Sequence, residues 1–292
     1  MKIESKRTHQ IFPFLAITLV YLTELYLYLI DLISAFYFLN ILLLTSILCL
    51  IFLLVIMRTA LPKRAFVFSV ILSLLLILYE MPLISLEKYQ YSVTRYSAPE
   101  ELVKGSGIFI LSVKVDTVGG VKNEQVLQDG YIDSHIKFYD MTPITNRIRY
   151  SSKNTAIFKS MGFYKEEFEQ MSANVTAYLK TNSSAIDEFL ARDSSNGDSA
   201  GLALVLSSLV AQGKLQNDVS IAVTGAFSKT GKVEKVGFIK EKIQIANEDS
   251  FSHMMIPLAN LAEANEMKKM LHLPIELIGV RDIDEAIQLI KE

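Results

Sequence analysis

Residues Leu32 to Met57 run for 26 positions without one charged side chain. Such a run either packs inside protein or crosses a bilayer. About 20 apolar residues in a helix span the hydrocarbon core while satisfying every backbone group internally. Two neighbouring stretches share this character. Ile11 to Ile30 is apolar apart from Glu24 and a few uncharged polar residues, and Ala65 to Leu86 is apolar apart from Glu80 and three serines. The sequence predicts a membrane anchor over 1–86 with three transmembrane helices, at 11–30, 32–57 and 65–86. A cleavable signal peptide fits poorly, because two further spans follow the first. Little more than Asp31 separates the first two spans, so a tight hairpin is expected. Glu24, inside a span, is expected to face another helix or a hydrogen-bond partner. Glu80 is expected near the outer interface, with no special role.

Basic residues set the orientation. Lys2, Lys6 and Arg7 precede the first span, and Arg58, Lys63 and Arg64 lie between the second and third. The positive-inside rule puts these in the cytoplasm. Three spans then place residues 87–292 outside it, on a multi-pass cell-membrane protein whose first partner is the bilayer. The apolar excess is confined to this anchor. The chain is 51% hydrophobic with a mean hydropathy of +0.32, but beyond residue 86 it has the composition of an ordinary soluble domain. The net charge of −2 gives no reason to expect nucleic acid as a partner. A single cysteine, Cys49, permits no intramolecular disulfide. The histidines (His9, His135, His253, His272) are scattered without ligand spacing, so no metal and no cofactor is expected.

Residues 87–106 are polar, contain Pro99 and read as a linker. A domain over 107–292 follows, in which strands and helices alternate. Strands are predicted at 107–115, 173–179, 218–224, 254–257 and 275–280. Helices are predicted at 165–171, 200–211, 238–248, 261–271 and 282–291, the last with Asp282 as N-cap. Residues 232–237 read as one arm of a hairpin.

Two residues in this domain suggest chemistry. Ser199 sits in Asn196-Gly197-Asp198-Ser199-Ala200-Gly201, where a glycine-containing loop meets a predicted helix N-terminus. Amides there lack intrahelical partners and favour negative charge, which is what an oxyanion needs. The backbone of Gly197, Asp198 and Ala200 is the candidate oxyanion site. A serine needs a base. Lys242 shares a helix face with Ile239, Ile245 and Ala246, so burial is expected. Lowering a lysine pKa by about three units takes about 4 kcal/mol of differential destabilisation of the ammonium. Thr224, in Val223-Thr224-Gly225, is placed to orient the amine. Read singly, a serine at a helix start is most often a cap, and a lysine on an apolar stripe most often snorkels.

The joint context resembles the Lon family of Ser–Lys proteases over roughly the last third of the chain. The serine motif is similar to the family's DGPSAG, and Val223-Thr224-Gly225 to its Met-Thr-Gly strand end. Gly231-Lys-Val-Glu-Lys-Val-Gly-Phe-Ile-Lys-Glu-Lys242 is similar to its turn and helix. Met254-Met-Ile-Pro257-Leu-Ala-Asn260 is similar to its Ile-Pro-x-x-Asn strand. Ser199 and Thr224 precede Lys242 by 43 and 18 residues, which fits the family spacing. The resemblance implies a mixed α+β two-layer fold, with Ser199 as nucleophile, Lys242 as general base and Thr224 as its support. It also implies a protein or peptide substrate and assembly into rings, often hexamers. Departures are Asp198 for the usual proline, Asn196 for an acid, Ala226 for a glutamate and Phe238 for the second glycine. Gly225 to Lys232 looks briefly like a P-loop, but it has five intervening residues and then Val233 where Ser or Thr must bind magnesium, and it reads as a turn. The expected function is a membrane-anchored, ATP-independent serine endopeptidase acting on flexible or unfolded segments. The alternative is a catalytically inactive domain serving as a membrane scaffold or peptide-binding sensor.

Overall fold

The computed structural model of the chain describes residues 2–56, 63–163, 165–180, 183–192 and 197–291, and the side chains of these apart from 2–13, 56 and 63. Arg58 and Asn196 lie outside the described residues, as do the side chains of Lys2, Lys6, Arg7 and Lys63. In chain order, α1 (Lys2–Leu29), α2 (Ala35–Ile56), α3 (Lys63–Glu80) and α4 (Pro82–Leu86) precede β1 (Tyr89–Arg95), β2 (Ile108–Ile110) and β3 (Lys114–Gly119). Then come α5 (Glu124–Asp133), β4 (Phe138–Pro143), α6 (Asn146–Ser160), α7 (Glu167–Leu179) and α8 (Ser184–Leu190). The remainder is α9 (Gly201–Ala211), β5 (Ile221–Val223), β6 (Ala226–Phe227), β7 (Val233–Glu234), α10 (Ile239–Glu248), β8 (His253–Pro257), α11 (Leu258–Met270), β9 (Glu276–Val280) and α12 (Ile283–Lys291).

These elements form two compact units. The first holds residues 1–92, 117–128 and 141–161, and the second 93–116, 129–140 and 162–292. The first therefore takes two segments expected in the 107–292 domain. In it, Ala35–Val55 and Arg64–Leu86 are long and apolar enough to cross a membrane, and α1 is apolar over Phe14–Leu29. Tyr28, Ala35, Phe38, Leu42 and Leu83 form its buried cluster, and the Tyr28 and Phe38 rings stack at 5.6 Å. Glu80, expected at the interface without a role, is instead fully buried and ion-paired with Lys153. The residue pattern hid this because the partner lies 73 positions away.

The second unit is built on a parallel sheet of order β2-β5-β8-β9 among the described residues. Its central strand is apolar on both faces. Ile221 and Val223 pack with α7, α8, α9 and α12, while Ala222 packs with α10 and α11. The mixed α/β domain thus has helices on both faces of this sheet. A second sheet of described residues has the order β3-β1-β4. β1 occupies part of the expected linker, where aromatic and β-branched residues alternate in Tyr-Gln-Tyr-Ser-Val-Thr-Arg.

Two further expectations are corrected. The strand read at 173–179 is the second half of helix α7. Phe168, Met171, Val175 and Leu179 recur at helical spacing and are all buried. The strand read at 107–115 breaks after Ile110. The Leu111 amide still donates to Val223 O (3.1 Å), and residues 111–113 then leave the sheet before β3 begins at Lys114.

Candidate active site

The strand end Val223-Thr224-Gly225 and the loop before α9 lock onto each other. The Gly225 amide donates to Ser199 O (2.8 Å), and the Leu202 amide donates back to Gly225 O (3.0 Å). The contact needs small residues. A Cβ on Gly201 would sit 2.7 Å from Phe227 Cβ, and one on Gly225 would sit 3.0 Å from Val233 Cγ1. Gly197 adopts φ +82°, in the left-handed region. α9 begins at Gly201 with Ala200 at its N-cap and no side-chain capping bond. Ser199 is partly exposed.

Lys242 reaches the same place from the opposite sheet face. Ile239, Ile243, Ile245 and Ala246 bury one side of α10 and carry Lys242 in with them, at 2% exposure. Buried Asn260 clamps the turn before the helix. Its Oδ1 accepts from the Val236 amide (2.9 Å), and its Nδ2 donates to Val236 O (3.0 Å). Phe238 then starts α10 at φ +58°, ψ 35°. That explains in this chain why a glycine is expected here, since a side chain in the left-handed region costs about 1 kcal/mol.

Lys242 Nζ donates to Thr224 Oγ1 (3.1 Å), and Thr224 Oγ1 donates to Ser199 O (3.2 Å). Thr224 is fully buried. Ser199, Thr224 and Lys242 are thus joined in one hydrogen-bonded chain, which Ser199 enters through its carbonyl. Burial pushes the Lys242 amine down to about 8, with Asp198 and Glu241 acting in the opposite direction. Asp198 is half-buried. Burial raises its carboxyl above the usual range, against its own amide and Lys242, which lower it.

Ser199, Lys242, Gly197 and Asp198 line one cleft of about 830 Å³, with Ser112, Val113, Lys114, Val115, Asp116, Glu167, Gly237 and Phe238. Ser112 to Lys114 also line a second recess of about 350 Å³ beside Ser199, walled by Leu111, Phe168 and Phe189. Sequence reasoning missed this rim, because Ser112 to Asp116 carry no motif and lie over 80 residues before Ser199. The break of the apolar run at Ser112 was the available signal. The P-loop look-alike is a hairpin in which β6 pairs with β7, closed by Ser228 and Gly231.

Residues 191–291 match the Lon protease (S16) C-terminal proteolytic domain. The chain also resembles curated proteins. The Lon protease of Trichlorobacter lovleyi is 30% identical over 97 residues, which is 33% of this chain and 12% of that protein. The archaeal Lon protease of Methanothermobacter thermautotrophicus is 29% identical over 128 residues, covering 42% of this chain and 20% of the relative. That of Methanocaldococcus jannaschii is 27% identical over 139 residues, covering 48% and 19%. The chain thus spans a fifth or less of the length of these relatives. The matched residues run from before α9 to α12, and Asp282 Oδ1 caps α12 by accepting from the Glu285 amide (2.9 Å).

Proposed function

We propose that the protein is a membrane-anchored serine endopeptidase that works without ATP, with Ser199 as nucleophile, Lys242 as general base and Thr224 as the residue that positions the amine. The observation that carries this reading is the environment of Lys242. A buried lysine with its pKa near 8, bonded to a neutral hydroxyl, in a cleft shared with an accessible serine, is suited to take a proton near neutral pH.

Ser199 Oγ attacks the peptide carbonyl while its proton passes to Lys242 Nζ. The oxyanion is held by backbone amides of the Gly197–Ala200 loop at the start of α9. Collapse expels the amine, which leaves with the lysine proton. Water then frees the acyl group by the same route. The cleft and its neighbouring recess accept an extended chain, so flexible or unfolded segments are the expected substrates. Anchoring rests on the two helices able to cross a membrane. With the shorter apolar helix Phe14–Leu29 counted as a third span, the basic residues before the first span and between the second and third favour a protease domain on the far side from the cytoplasm.

The test is labelling of the full chain in membranes with a serine-reactive phosphonate probe. Wild type is expected to label, and Ser199→Ala and Lys242→Ala to lose labelling by roughly 10⁴-fold. Thr224→Val is expected to lose about tenfold, which Thr224→Ser restores. Folded wild type left unlabelled from neutral to alkaline pH overturns the enzyme reading in favour of a silent scaffold or peptide sensor.

A further inference from the structure

Two sets of hydrogen bonds fix how α6 runs against the apolar helices of its own unit. At its start, the Asn146 amide donates to Asp31 Oδ1 (2.7 Å), and Asn146 Nδ2 donates to Tyr28 O and Ile33 O (3.0 Å each). These acceptors mark the turn between α1 and α2. Two turns later, Lys153 Nζ pairs with Glu80 Oε2, while Tyr21 OH donates to Glu80 Oε1 (2.8 Å). Tyr150 and Tyr21 both pack against the buried cluster of this unit, and Asn154 Oδ1 accepts from Tyr79 OH (2.8 Å).

Tyr21 lies ten residues before Asp31, or about 15 Å back along α1, and Lys153 lies seven residues after Asn146, or about 10 Å along α6. α6 therefore runs antiparallel to α1, from the turn toward the apolar body of the bundle. Its contact face is Asn146, Arg149, Tyr150, Lys153 and Asn154, spaced i, i+3, i+4, i+7, i+8. The helix then continues about another 10 Å past Lys153. There Phe158 is 50% and Met161 62% exposed. The hydroxyls of Ser152 and Ser160 are turned inward, donating to Ile148 O (3.0 Å) and Ile157 O (2.7 Å). This is how polar groups are satisfied where water is scarce.

We propose that α6 enters the bilayer C-terminus first, in the leaflet on the side of the α1–α2 turn, and that Phe158 and Met161 are covered by acyl chains. The Lys153–Glu80 pair lies where the helix passes the membrane boundary, and each charge there has its counter-charge within the protein. The segment lies within the part of the chain whose sequence reads as soluble, so it is a membrane contact separate from the spans. This inference rests on the reading of α1 to α3 as membrane helices.

The chain has no tryptophan, so a single introduced indole reports its own surroundings. The full chain carrying Phe158→Trp, Met161→Trp or Phe52→Trp is reconstituted into phosphatidylcholine–phosphatidylglycerol vesicles. Phe52, on the exposed face of α2 and about 25 Å along it from the turn, reports on the spans. The proposal expects blue-shifted emission at positions 158 and 161, with most of it lost to lipids brominated near the headgroup end of the acyl chain and little lost to aqueous iodide. Position 52 is expected to lose most emission to lipids brominated near the chain terminus. Lipid quenching at 52 with only iodide quenching at 158 and 161 overturns the proposal and leaves the anchor intact. No lipid quenching at 52 overturns the anchor reading and this inference with it.

Discussion

Lys153 in the helical unit and Lys242 in the sheet-based unit are equally buried, at 2% exposure each, yet their surroundings are opposite. Lys153 meets the Glu80 carboxylate and lies over two tyrosine rings, 3.8 Å from the centroid of Tyr79 and 4.1 Å from that of Tyr150. Every neighbour there answers a cation, so the pair serves packing. Lys242 meets the Thr224 hydroxyl and a wall of isoleucines, and among the described residues it has no ion-pair partner. Burial alone makes a lysine reluctant to hold its proton. The choice of partner, carboxylate or hydroxyl, decides whether that reluctance is neutralised or kept for chemistry.

Removing the carboxylate should have the largest effect on stability. Glu80→Gln leaves Lys153 buried without a counter-charge and is expected to lower the unfolding free energy by about 3–5 kcal/mol, read from denaturation of the protein in nanodiscs. Replacing both partners, Glu80→Leu with Lys153→Met, should recover most of it. A neutral Glu80→Gln would mean that water reaches the pair, and the contrast with Lys242 would fail.

The opposite sign is expected at Lys242. Its folded pKa, about 8, lies below the unfolded value of about 10.4, so the folded state binds fewer protons between those limits. Stability of the wild type therefore rises with pH from about 8 to about 10.4. Below that window the buried lysine costs about 3 kcal/mol. Lys242→Met should lose activity yet raise stability by up to that amount at pH 7, with the gain fading as pH climbs through the window. The wild-type rate should itself rise with pH up to about 8. A flat stability difference across pH would show that the amine is not held in the deprotonating environment described.

The smallest effect concerns how α10 starts. Phe238→Gly relieves a left-handed side chain at φ +58°, and is expected to stabilise by about 1 kcal/mol or less, because glycine also gains freedom in the unfolded chain. Thermal melting of the pair checks this. A loss of stability would mean that the half-exposed ring packs on the cleft rim more than its backbone is strained.

Legibility from sequence followed the range of the interactions. α9, β5 and α10 were readable because period and motif act within about 50 residues. Helix α7 was cut in two by a false strand at 173–179, because a short apolar run does not reveal its period. Asn260 was visible as part of a motif, but its clamp on Val236 was not, since a side chain bonded to a distant backbone leaves no local pattern. Lys153 had no signal at all. It reads as an ordinary charged residue on a polar helix until Glu80 is set against it.

By itself, the sequence determined which stretches are apolar enough to leave water, where the helix of Ser199 begins and that Lys242 rides an apolar stripe. These follow from local spacing and transfer free energy, which need no partner. Only the tertiary structure decided which acceptor each buried lysine meets, that Ser112 to Asp116 rim the cleft and that α6 runs back along α1. Those depend on groups brought together across the chain, and the energy of a buried charge is set by its nearest neighbours in space.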